Sequence, residues 1–146
     1  MKVVLSSLMA LVALCAVMES TAQALPKNFR NLDHFYVGAM PAPEDVDELA
    51  TLGIRTIVSL HRLHFRTQLR VDELGLERFD FPTRTRLVYA EDVMRIIETQ
   101  PPGTVYVHCL HGADHAGAIA AYWLYSRKGI DPFIALALVI SPTEFH

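Results

Sequence analysis

Two short runs constrain this chain more than anything else in it: Thr56-Ile57-Val58-Ser59-Leu60 and Val105-Tyr106-Val107-His108. Both are rich in β-branched or aromatic residues and lack the apolar–polar alternation of a strand with one wet face. Strands of this kind are buried on both sides, which points to a parallel sheet covered by helices. The chain around them supplies helices. Pro43 opens one, with Glu44 and Asp45 in its first turn, Val46, Leu49 and Ala50 as its apolar stripe and Gly53 as its stop. Residues 90–100 carry Val93, Met94, Ile96 and Ile97 and halt at Pro101-Pro102-Gly103. An apolar helix spans 116–128, and Asp131-Pro132 introduces a last one. Phe35-Tyr36-Val37 reads as a short strand. Phe79 and Phe81 alternate with Arg78 and Asp80, as in a strand with one buried face. Residues 61–76 read as polar and irregular. The alternation predicts an α/β domain, a mainly parallel central sheet flanked by helices.

The last helix is unusual. Residues 133–140 are apolar on every side, and such a helix needs cover all round. With six residues left after it, the expected cover is a partner, through self-association, or chain that a shortened C-terminus no longer carries.

A chain of 146 residues can bury a core without a metal or disulfide staple. Its 51% apolar and 20% charged residues exclude a disordered or collagen-like chain, and a net charge of −3 gives no basic footprint for nucleic acid. Residues 1–24 inflate the apolar share. Lys2 precedes the uncharged stretch Val3 to Met18, and Ala22-Gln23-Ala24 places small residues where a signal peptidase reads. The expectation is a signal peptide over 1–24, a domain over 25–146, and a secreted or periplasmic destination. An uncleaved anchor is the competing reading, but the stretch is short for a span. A lipoprotein site at Cys15 would want Gly or Ala where Leu14 stands. Removal of the segment leaves Cys109 as a single thiol without an internal partner.

That thiol sits where chemistry is easiest to build. Cys109 ends a strand, the loop Leu110-His111-Gly112-Ala113-Asp114 follows, and a helix begins near Ala116. Such a loop aims several backbone N–H groups at one point, and the helix N-terminus adds positive potential. Positive potential favours thiolate, which is the nucleophile. A cysteine ending a buried strand is commonly just core. The His108-Cys109 pair, Gly112 three residues on and Gly117 at the helix start argue for a site instead.

The segment resembles the signature loop of the cysteine-dependent protein-tyrosine and dual-specificity phosphatases, His-Cys-x-x-Gly-x-x-Arg-Ser/Thr-Gly. His108, Cys109, Gly112 and Gly117 match in type and spacing. The wording Val-His-Cys-x-His-Gly-x-Asp is similar to bacterial exported, dual-specificity-like members. The resemblance continues through residues 35–41 and 52–60 and covers about residues 28–130. It implies a phosphatase-like fold and a metal-free, cofactor-free mechanism on phosphomonoesters. In that scheme Cys109 is the nucleophile, the N–H groups of residues 110–115 cradle phosphate, and His108 and Gly117 support the loop. The substrate would be a phosphorylated protein, lipid or small molecule.

Two positions depart from the pattern. His115 stands where the family has Arg, and Ala116 where it has Ser or Thr. Arginine is a permanently charged fork matched to phosphate, whereas histidine is shorter and charged only in mildly acid solution. Loss of one preorganised donor costs about 10²–10³ in rate. Loss of a transition-state arginine costs about 10³–10⁵. Weak turnover is expected, with His115 as cationic substitute. The alternative is a pseudophosphatase that binds phosphate or a phosphorylated partner. The general acid is not where the family would put it, because Pro82-Thr83-Arg84-Thr85-Arg86 has no carboxylate. Asp114 is the candidate; Asp80 and Asp92 read as a solvated strand face and a helix N-terminal charge. Seven arginines between 55 and 86 read as a solvated basic face, with Arg84 or Arg86 reaching the pocket as the sharper alternative. His108, His111 and His115 lack helical metal-ligand spacing, so no metal is assigned. A rhodanese-like sulfurtransferase also places Cys on such a loop, but the His-Cys-x-x-Gly wording and Gly117 argue against it.

Overall fold

The computed structural model describes residues 25–81 and 89–140. Residues 1–24, where a signal peptide is expected, the stretch 82–88 with Arg84 and Arg86, and residues 141–146 lie outside the described residues. The elements run β1 (Arg30–Asn31), β2 (Tyr36–Gly38), α1 (Pro43–Thr51), β3 (Thr56–Ser59), α2 (Phe65–Glu73), β4 (Glu77–Asp80), α3 (Ala90–Thr99), β5 (Val105–His108), α4 (His115–Lys128) and α5 (Pro132–Ile140). The strands form one sheet in the order β1-β2-β5-β3-β4. β1 is antiparallel to β2, and every other neighbouring pair is parallel. This is the expected α/β architecture. The two runs that predicted it, β3 and β5, are adjacent central strands in which every residue is buried.

Both faces of the sheet carry helices. Val37, Val58, Val105 and Val107 face α3 and α4, meeting Val93, Met94, Ile97, Ile119, Ala120 and Trp123. Ile57 and Tyr106 point the other way, onto Val46 and Leu49 of α1 and Val71 of α2. Side chains such as Ile57 and Val58 lose all exposure, worth about 1.5–3 kcal/mol each against leaving them in water. Arg127 of α4 bridges to Glu91 and Glu98 of α3, clasping the two helices at the surface.

One segment differs from expectation. Residues 61–76 are not irregular, because α2 occupies Phe65–Glu73. Its buried positions are only Thr67 and Val71, one turn apart, while Phe65 and Leu69 face solvent. Tertiary fastening holds this polar helix. Thr67 Oγ1 donates to Pro41 O at 3.1 Å, and the Arg70 guanidinium grips Asp47 of α1. The last helix, α5, buries Ala135 and Val139, leaving Phe133 83% exposed, with Ile134, Leu136 and Ile140 also exposed. Among the described residues no helix is long and apolar enough to cross a membrane.

Tyr106 joins the sheet to the turn after β2. Its buried hydroxyl donates to Ala39 O at 2.6 Å, and burial pushes its phenol well above its ordinary range, so it stays a donor. Tyr106→Phe leaves that carbonyl buried without its partner. The expected loss is about 1–3 kcal/mol in chemical unfolding; an unchanged midpoint would contradict the assignment.

Candidate active site

β5 lies between β2 and β3, and the loop of residues 109–114 leaves its C-terminal end. In open parallel sheets ligands gather beyond the carboxyl ends of the strands. Cys109 is 2% exposed and packs with the α3–α4 core. Its N–H donates to Gly38 O at 3.4 Å, and its Sγ accepts from Gly112 N–H at 3.2 Å. The predicted loop residues Leu110, His111, Ala113 and Asp114 are exposed, His115 is half-buried, and Ala116 and Gly117 are buried.

Three consecutive loop carbonyls are tied backwards. Leu110 O accepts from Met40 N–H at 3.3 Å, His111 O from the Asn28 side-chain amide at 2.7 Å, and Gly112 O from Arg30 Nη2 at 2.5 Å. The N–H groups of Leu110, His111, Ala113, Asp114 and His115 donate to no acceptor among the described residues. With the carbonyls occupied behind, the loop presents donors on its other side, next to the first turn of α4. The helix dipole adds positive potential equivalent to about half a charge there. Asp114 occupies the N-cap position of α4, but its side chain makes no capping bond, so its carboxylate is uncommitted.

Two glycines make the geometry possible. Gly112 has φ +76°, and a Cβ there would lie 2.4 Å from both Ala39 N and Gly38 C. The loop therefore rests directly on the backbone that follows β2. Gly117 faces α5, where a Cβ would sit 3.3 Å from Val139 Cγ1.

His108 supports the loop from below. Its Nδ1 lies 3.2 Å from Cys109 O and its Nε2 2.9 Å from Ser59 Oγ of β3. Burial lowers its pKa to about 4, so the ring is neutral near pH 7. A carbonyl only accepts, so Nδ1 carries the proton and Nε2 accepts from the Ser59 hydroxyl.

The remaining candidates fall outside this arrangement. Asp80 pairs with Arg78 at 3.2 Å and Asp92 with Arg95 at 3.2 Å, as expected of a surface strand and a helix start. Arg55 and Arg70 are bound to nearby carbonyls and carboxylates. Among the described residues no group of three His, Cys, Asp or Glu side chains converges to hold a metal. Sequence reasoning overlooked Asn28 and Arg30, which stand 83 and 82 positions from the carbonyls they hold. No local spacing announces contacts that distant.

Two outcomes follow. The His108 imidazole titrates near 6.5 when unfolded and near 4 when folded, so the unfolded chain takes its proton first. Its contribution is whole above about pH 6.5 and is lost as pH falls toward 4, by about 3 kcal/mol. Urea unfolding at pH 7, 5.5 and 4.5 should show this slope, and His108→Asn should flatten it; equal slopes would refute the account. Gly112→Ala meets backbone in a left-handed conformation and is expected to destabilise by about 2–4 kcal/mol. Gly117→Ala meets a single movable methyl and should cost about 1 kcal/mol or less. Equal effects in denaturant titrations would show that the loop does not rest on Gly38–Ala39 as described.

The fold has counterparts among solved structures. TpbA of P. aeruginosa is 25% identical, with a TM-score of 0.66 over 82% of this chain and 79% of its own. A cysteine-to-serine variant of TpbA in complex with phosphotyrosine is 25% identical, with a TM-score of 0.68 over 84% of this chain and 80% of its own. The core catalytic domain of the S. cerevisiae PP-IP phosphatase SIW14 shares the fold at 14% identity, with a TM-score of 0.69 over 82% of this chain and 80% of its own. No family model and no curated protein matches the chain. The signature loop on Cys109, the parallel sheet that carries it and the match to TpbA place the chain in the superfamily of cysteine-dependent protein-tyrosine and dual-specificity phosphatases.

Proposed function

We propose that the protein hydrolyses phosphomonoesters through a cysteinyl-phosphate intermediate, with weak turnover. The observation that carries this reading is the loop itself: Sγ of Cys109 held by Gly112 N–H at 3.2 Å, beside N–H groups whose carbonyls are tied away. The Cys109 thiolate attacks phosphorus, an S–P bond forms, and the P–O ester bond breaks. The leaving oxygen takes a proton from Asp114, the uncommitted carboxylate of the loop. Water then attacks the phosphocysteine, giving a proton back to that carboxylate and releasing phosphate and thiolate. The N–H groups of residues 110–115 hold the equatorial oxygens throughout, as preorganised donors to the developing charge. His108 and Gly117 support the loop. His115, at the first position of α4, is the cationic substitute for the family's arginine.

The substrate is a phosphorylated protein, lipid or small molecule, and the phosphotyrosine complex of TpbA makes a phosphoprotein a natural first choice. The apolar stretch and small-residue site in residues 1–24 support export, placing the domain outside the cytoplasm. A second reading, a pseudophosphatase that holds a phosphorylated partner without turnover, is favoured by the replacement of both Arg and Ser/Thr by His115 and Ala116.

Hydrolysis of an aryl phosphate from pH 5 to 8 separates the two. The enzyme reading predicts turnover in the parent protein that vanishes in Cys109→Ser. The double change His115→Arg, Ala116→Thr should raise the rate about 10²-fold or more. Turnover appearing only in the double change would mean a sound fold whose chemistry has been lost, and would favour the binding reading. Turnover that survives Cys109→Ser would exclude both.

A further inference from the structure

The three anchors behind the loop differ in kind. Met40 contributes a main-chain N–H and Asn28 a neutral amide, but Arg30 contributes a full charge. Its guanidinium reaches from β1 between the loop and the last helix, with Nη2 on Gly112 O at 2.5 Å and Nη1 on Val139 O of α5. Gly117 of α4 lies beside it: a Cβ there would make an ordinary contact at 3.9 Å with Arg30 Nη2. Arg30 and Asp114 line the same groove of about 490 Å³ between the loop and α5, and no ion pair joins them. Burial pulls the Arg30 pKa down, while nearby Cys109 and Tyr106 work the other way. A guanidinium in such a place remains charged.

Gly112 makes such an anchor necessary. Only glycine fits against Gly38–Ala39, yet glycine is the residue freest to rotate its peptide planes. A turn of the plane after Gly112 would bring a carbonyl oxygen toward the donors and set negative charge against any bound anion. A charge-assisted bond is about twice as strong as a neutral one and holds that plane best.

We propose that Arg30 is a positioning residue for the loop: it locks the Gly112 carbonyl outward so that the Ala113 N–H of the same peptide plane turns to the donor side, and it supplies from behind the permanent positive charge that a histidine in the loop does not. This rests on the reading of the loop as an oxyanion site. Around Cys109 and Arg30 the other titratable groups are Tyr106 and His108 of β5, His111 and Asp114 of the loop and His115 of α4, with Asp33 and Lys128 lining a neighbouring cavity with Arg30, Asp45 acting on Tyr106 and His61 beyond His108. Arg30 is the one charged anchor of the loop carbonyls among the described residues.

The test measures alkylation of Cys109 by iodoacetamide at pH 7 and its suppression by tungstate, with urea unfolding alongside. In the parent protein tungstate should protect Cys109 saturably. Arg30→Gln should weaken protection about ten-fold or more in folded protein, Arg30→Lys should stay within about three-fold of the parent, and Asn28→Ala should lose no more than about three-fold. A merely structural role would lower stability in Arg30→Gln and leave the tungstate affinity of the folded fraction unchanged, and that result overturns the assignment. So does an Asn28→Ala loss equal to that of Arg30→Gln, because charge would then be irrelevant. Should Arg30→Gln fail to fold, Arg30→Lys decides: affinity near the parent upholds the proposal, and a ten-fold loss overturns it. Absence of protection in the parent would instead fell the oxyanion reading, and this proposal with it.

Discussion

A loop can turn its N–H groups to one side only if its carbonyls are satisfied on the other, and here the segment running from residue 28 to residue 40 does that work. Asn28, Arg30 and Met40 each take one of three successive carbonyls. The contact is close because the loop backbone is bare where they meet: a Cβ on Gly112 would stand 2.4 Å from Gly38 C and Ala39 N. The sheet order serves the same end. Strand pairing of β2 with β5 sets Gly38 opposite His108, which brings the anchoring segment beside the loop. The small antiparallel strand β1 then carries Arg30 to the rear of it.

The site is rich in dipoles and poor in formal charge. Backbone N–H groups and the α4 N-terminus supply fixed partial charges. His108 is held neutral by burial, so it contributes hydrogen bonds and shape rather than field. The family's arginine would add both a charge and a bidentate fork; His115 replaces it with a shorter ring. An oxyanion can be bound by oriented donors alone, but charge that develops in a transition state rewards a fixed cation more strongly. Binding is accordingly expected to outlast turnover in this loop, and the cation behind Gly112 bears on both.

What the sequence disclosed follows physical range. β3 and β5 were legible because strands buried on both faces must be apolar throughout, and α1 and α3 because their stripes repeat at helical spacing. The Cys109-to-Gly117 loop was legible because its chemistry is local. α2 was missed because its only buried positions are Thr67 and Val71, with Phe65 and Leu69 on the wet face obscuring the stripe. Asn28 and Arg30 were invisible because their partners lie 83 and 82 positions away along the chain. The last helix was expected to need cover from a partner or from further chain; among the described residues α4 covers one side of it and Phe133 and Ile140 stay exposed.

The central claim is that the N–H groups after Cys109 act together as one anion cradle. Amide NMR of the protein titrated with inorganic phosphate tests it most directly. The account predicts that the Leu110, His111, Gly112, Ala113, Asp114 and His115 amides shift together along a single saturation curve, with small changes elsewhere. Saturable shifts centred on another surface, or none at all in the folded protein, would contradict it.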